Sequence, residues 1–264
     1  SAGTIIVKES AEKIELQANA FSYTLNKRNG LFEDIQFAGR NYLNHPMELN
    51  IWRAPTDNDM YIKSEWKKAH YDKAYTRAYN IEVLQNKHGV FIMEHLAVVA
   101  DTVQKDEEFP DLPRFGIRLF LDKKFEDVAY YGMGPHESYR DKHQATSHGI
   151  YRSKVTDLHE DYIRPQENGS HYDCDYVELT NAQYGFAIVS EDSFSFNASY
   201  YTQEVLEQTE HNFELEESDS TVLCVDYALN GIGSNSCGPV VLDQYRFREN
   251  EFRFQLKLVP YVKR

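Results

Sequence analysis

Along most of the chain, apolar and polar residues alternate with the short period of a pleated strand, and Gly, Pro, Asn and Asp interrupt the runs. This pattern predicts strands at residues 4–7, within 13–37, and at 79–84, 90–99, 114–121, 128–131, 176–179, 186–189, 194–200, 221–229 and 240–247. The most regular alternation is Glu251-Phe252-Arg253-Phe254-Gln255-Leu256-Lys257-Leu258, a strand with one wet face. Asn29-Gly30, flanked by Tyr23, Leu25, Leu31 and Ile35, is the signature of a type I′ hairpin turn. Helical spacing is confined to 64–75, with Trp66 and Ala69 near one face, and to 202–208, where Thr202 is placed to cap. Residues 102–113 are acidic and broken by Pro110 and Pro113, so they read as exposed loop. Together these elements predict an all-β fold of antiparallel sheets, one domain over residues 1–264.

The unusual residues fall in the loops. Gly231-Ile232-Gly233-Ser234-Asn235-Ser236-Cys237-Gly238-Pro239 is predicted to join two strands, and its glycines allow something, a ligand or a packed neighbour, to come close to the backbone. In Asn50-Ile51-Trp52-Arg53-Ala54-Pro55-Thr56-Asp57-Asn58-Asp59 a strand gives way to a polar turn, where the Asx side chains shape the loop or contact a cation or sugar. His136 beside Glu137 has the groups for proton transfer, but neighbours on an extended chain point to opposite faces, so His136 is expected in solvent. Glu167 is either a catalytic carboxylate or the anchor of the Asn168-Gly169 turn. The remaining histidines, among them His143, His148, His159 and His171, lack the i, i+4 ligand spacing of a zinc site, and no nucleophile triad or phosphate loop is present.

Composition narrows the class. Aromatics are 14% of 264 residues, with 19 Tyr and 15 Phe, which suits broad rings packing on sheets. A formal net charge of -14 opposes binding to nucleic acid or to an anionic membrane. Cys174, Cys224 and Cys237 are far apart and odd in number, which argues against a disulfide framework and for a reducing, cytoplasmic location. No apolar run reaches the length of a membrane span. Ser1-Ala2-Gly3 leads almost directly into a strand pattern, as expected of a piece cut from a longer protein.

Four motifs occur in register across nearly the whole chain. They are Trp52-Arg53-Ala54-Pro55-Thr56-Asp57-Asn58-Asp59, Gly132-Met133-Gly134-Pro135-His136-Glu137-Ser138-Tyr139, Pro165-Gln166-Glu167-Asn168-Gly169, and Gly231-Ile232-Gly233 through Gly238-Pro239. Together they closely resemble the C-terminal domain, or separate small chain, of glycoside hydrolase family 2 β-galactosidases. The resemblance implies a supersandwich similar to galactose mutarotases and no catalytic residue in this chain, because the two glutamates of that family lie on a separate (β/α)8 barrel. It implies docking on that catalytic domain or large chain, and a share in the pocket for a β-galactoside through Asn58 and Asp59 on one loop and Asn235, Ser236 and Cys237 on another. No cofactor is expected here, although the parent family often uses Mg and Na ions. An isolated copy is expected to expose its docking patch, which allows a homo-oligomer.

Two departures from the family pattern stand out. Cys237 occupies a position where a bacterial relative has tryptophan, so the flat stacking face is missing; the loss either widens the pocket's outer subsite, favours linkages other than that of lactose, or is offset by another aromatic such as Trp66. The stretch between Phe91 and Arg114 is short by about two strands' worth of residues. The alternative functions are a stand-alone aldose epimerase, using His136 or His171 with Glu167, and a free carbohydrate-binding module.

Overall fold

A computed structural model describes residues 5–86, 89–100, 109–233 and 237–263. The chain opens with a five-stranded antiparallel sheet of β1 (Ile6–Glu9), β2 (Lys13–Ala18), β3 (Phe21–Asn26), β4 (Leu31–Phe37) and β5 (Arg40–Asn41), paired in chain order. β6 (Leu43–Asn50) then enters a second, eight-stranded sheet, and a short helix α1 (Ile62–Lys68) precedes a separate hairpin of β7 (Tyr75–Asn86) and β8 (Gly89–Val99). The large sheet is completed by β9 (Arg114–Asp122), β10 (Asp127–Gly134), β11 (Ser147–Lys154), β12 (His171–Thr180), β13 (Tyr184–Ser199), β14 (Ser220–Leu229) and β15 (Lys257–Val262), with a helix α2 (Gln203–Gln208) between β13 and β14. Its order is β11-β10-β12-β13-β14-β9-β6, with β15 also on β13, and every pairing is antiparallel.

The architecture is therefore all-β and antiparallel, as the alternation predicted. Its main core lies between β4 and the large sheet, where Leu31 and Ile35 meet Leu119, Leu121, Val177, Phe186, Phe196 and Leu223. β14 is buried along almost its whole length because sheet neighbours flank it and both faces are covered. A second cluster packs Ile14, Leu16 and Leu25 against Ile81, Val83, Val90 and Ile92 of the separate hairpin. A third, built on Ile51, Trp66, Ala69 and Tyr71, seats α1 beneath the chain that leaves β6.

Several local expectations are corrected. Between β3 and β4 the loop is residues 27–30 rather than a two-residue type I′ turn: among its residues only Gly30 takes positive φ, +73°, and its N–H reaches the Asn26 carbonyl at 2.9 Å. Asn29 instead accepts from the Leu31 N–H. The helix predicted at 64–75 ends at Lys68, since His70 turns to φ +57° and a 3-10 turn, Tyr71–Lys73, follows. Residues 186–189 and 194–199 belong to the single strand β13, whose intervening residues stay extended and which ends one residue short of the predicted 200. Residues 240–247 form no strand and hold only a 3-10 turn at Asp243–Tyr245, so the glycine-rich loop leaves β14 and leads into irregular chain. From 251 to 256 exposure alternates as predicted but the ladder starts only at Lys257, because alternation reports which face is covered and not which backbone is paired. The short connection between β8 and β9 passes through residues 101–108, outside the described residues.

Candidate functional site

Two of the predicted loops converge. β6 ends at Asn50, and the chain turns inward so that Ile51, Arg53 and Ala54 are buried before a 3-10 turn at Asp57–Met60. Arg53 is fully buried under this turn. Its guanidinium donates to both oxygens of Asp59, at 3.1 and 2.7 Å, and to the carbonyls of Asn230 at 2.6 Å and Gly231 at 3.2 Å. One planar fork thus ties the 53–60 turn to the chain leaving β14, a geometry that a lysine's single ammonium cannot reproduce. The Trp66 ring lies 5.1 Å from the guanidinium carbon. Asp59 also accepts from the Thr56 N–H at 2.9 Å and its hydroxyl at 3.2 Å, so the carboxylate shapes the loop from below.

Asn58, the exposed neighbour of Asp59, donates its side-chain amide to the Ile232 carbonyl at 3.0 Å. Facing it, Asp141 accepts the Ile232 N–H at 3.0 Å and the Gly233 N–H at 2.8 Å. Between these groups opens a cavity of about 380 Å³, lined by Asn58, Asp141, Gly233, Cys237, Val241 and Tyr245 among others. Its wall is mixed: an amide, a carboxylate and a phenol stand among small apolar groups, and Cys237 is exposed. Such a surface suits a neutral, hydroxyl-rich ligand with some apolar faces.

Of the predicted contact residues, Asn58 and Cys237 share this cavity, Asp59 stands beneath it, and Asn235 and Ser236 lie outside the described residues. Trp66 does not offer the stacking face assigned to it. It is 0% exposed and donates its indole N–H to the Asp111 carbonyl at 3.0 Å. Arg53 and Asp141 had no role in the sequence reading. The spacing of Arg53 and Asp59 was a usable signal, since a charge in an otherwise apolar run implies a partner nearby.

The groups considered for acid–base work are dispersed. His136 is exposed, as expected of it. His171 is buried, stacked on Phe196, and its Nδ1 lies 3.1 Å from the Gly169 carbonyl. Burial pushes its pKa down to about 4. Glu167 is buried and accepts from Arg114 at 2.7 Å, inside a network where Arg114 also holds Asp226 and Asn197. Of the two readings of Glu167, the structural one fits this placement. None of the three lines the cavity between the loops. Among the described residues no group of three His, Cys, Asp or Glu side chains is disposed to hold a metal, so the ions implied for the parent family find no matching ligand set in them.

Fold and site together define an all-β domain of antiparallel sheets whose loops close on an open cavity of mixed polarity. The chain belongs to the beta galactosidase small chain family, whose profile matches residues 17–258. It is 42% identical to a β-galactosidase of Actinobacillus pleuropneumoniae over 97% of this chain and 28% of that protein, and 37% identical to one of Staphylococcus xylosus over 96% and 28%. The chain therefore spans little more than a quarter of the length of these relatives. A galactose mutarotase-like protein from Lactobacillus casei superposes over 97% of this chain and 98% of that one with TM-score 0.41 at 9% identity.

Proposed function

We propose that this chain is the non-catalytic wall of a β-galactosidase pocket, completing a sugar site whose acid/base and nucleophile glutamates lie on a separate catalytic domain or large chain. The substrate class is a terminal β-D-galactoside. The observation that carries this reading is the meeting of Asn58 and Cys237, far apart in sequence, on one cavity that is open on its outer side. Family membership and the short share of its relatives' length support a larger partner. Val240 and Leu242 on the cavity wall are each 61% exposed, and Met60 and Tyr61, next along from Asn58, are also exposed, as expected of a surface that a partner covers.

In this role the chain holds substrate at a distance from the bond that breaks. Asn58, Asn235 and Ser236 supply hydrogen-bonding groups, Cys237 supplies a small soft contact in place of a stacking ring, and Asp59 sets the height of its loop. Such binding positions the substrate without taking part in the chemistry. Cys237→Trp in the assembled enzyme tests it. The added aromatic face is expected to shift KM for a disaccharide galactoside by about three-fold or more while leaving kcat nearly unchanged. An unchanged KM for every galactoside contradicts the assignment.

A further inference from the structure

The 231–233 turn is held from two sides by side chains that come from other parts of the fold. Asp141 takes two consecutive N–H groups, those of Ile232 and Gly233, with one carboxylate oxygen each. Asn58 takes the Ile232 carbonyl, and the Gly231 N–H reaches the Tyr245 carbonyl at 3.0 Å. A carboxylate receiving two adjacent N–H groups makes two charge-assisted bonds in one fixed orientation. The fit is close: a Cβ on Gly231 would lie 2.8 Å from Asp141 Oδ2, and one on Gly233 3.2 Å from it. Gly231 and Gly233 therefore admit Asp141, which is what approaches the backbone at this turn.

Asp141 itself is rigidly mounted. Tyr139 and Lys142 bridge around it through paired backbone bonds of 2.8 and 3.0 Å. Tyr139 is buried, and the preceding Ser138 N–H is bonded to the Ser170 carbonyl at 2.7 Å. Arg140 donates to the Arg246 carbonyl, fixing the same tip from the other flank. The turn, by contrast, has no ladder partner of its own. Position is thus set by the tip and received by the turn.

Resting on the pocket-wall reading, we infer that Asp141 is a positioning residue for galactoside binding: acting through the 231–233 turn, it sets where Gly233 and the Asn58 amide stand on the cavity wall. Its carboxylate lines the cavity with both oxygens already engaged by the turn, so its loss acts on how tightly substrate is held and not on bond cleavage. Asp141→Asn keeps the shape and one acceptor oxygen but removes the charge and turns a donor toward an N–H. In the enzyme assembled with its catalytic part, KM for an aryl galactoside is expected to rise about ten-fold, with kcat within about three-fold of the parent.

Asp141→Glu, which restores the charge at the wrong length, is expected to recover part of that rise. A fall in Tm with KM unchanged would show a merely structural role and overturn the inference. If Asp141→Asn does not fold, Gly233→Ala presses on the same oxygen from the turn. It is expected to raise KM several-fold, and an unchanged KM there also overturns the inference. Cys237→Trp, measured alongside, separates the two levels. A KM shift with Cys237→Trp but none with Asp141→Asn removes the positioning role and leaves the wall; no shift with either removes both.

Discussion

At the residue scale, the polar side chains that matter most are buried. His171 is sealed against Phe196 and Tyr130, where an imidazolium would lose its hydration, and this is why its pKa drops to about 4 from an ordinary 6.5. The unfolded chain then takes up a proton below pH 6.5 that the folded chain refuses until about pH 4. Stability is full above 6.5 and falls as the pH drops through that window, by about 3 kcal/mol at its lower end. Burial of Asp226 acts in the opposite sense below about pH 6, so the test is the comparison: urea midpoints measured from pH 7 to pH 4 are expected to show the parent losing more stability than His171→Gln across this window. An unchanged pH slope in the variant contradicts the assignment. The sequence marked His171 as a candidate acid or base because periodicity says nothing of depth. Sequence alone allows Glu167 two roles for the same reason, as only tertiary packing supplies Arg114.

At the element scale, Arg114 fastens the strands from which the site loops emerge. It begins β9, and it bonds Asp226 on β14, Asn197 on β13 and Glu167 in the loop before β12. Asn50, the last residue of β6, donates to the same Asp226 at 3.0 Å. Two buried carboxylates thus share one buried guanidinium, and burial pushes Asp226 up to about 6 against the pull of Arg114. Arg114→Met, which leaves both acids uncompensated, is expected to lower stability by about 3–5 kcal/mol. Glu167→Gln leaves a one-to-one pair with Asp226 and is expected to cost far less; equal losses in urea unfolding would contradict this account.

Elements with strong alternation and clear breakers, such as β9, β14 and the β7–β8 hairpin, were legible in the sequence. Thr202 likewise caps α2, accepting from the Val205 N–H. The 240–247 and 251–256 stretches misled because their apolar residues cover the molecule without entering a ladder, and β11 was missed because Ser147–Lys154 is largely exposed and lacks an apolar rhythm.

At the scale of the whole molecule, the fold brings Asn58, Asp141 and Gly233 together from distant parts of the sequence around one open cavity. Asn58 and Cys237 were named for this site through the family resemblance; spacing alone gave no reason to join them. Arg53 in its apolar run carries a sequence signal, but Asp141, which also holds the cavity's shape, carries none, because a carboxylate on backbone N–H groups looks in sequence like an ordinary loop charge. A wall open on one side binds weakly by itself, since its ligand stays half solvated. The most direct test is hydrolysis of a chromogenic β-galactoside by this chain, by the catalytic part, and by the two mixed, with mutarotation followed on the lone chain. The account predicts hydrolysis far above either component only in the mixture, and no acceleration of mutarotation. Hydrolysis or mutarotation by the lone chain, or a catalytic part as active alone as in the mixture, would contradict it.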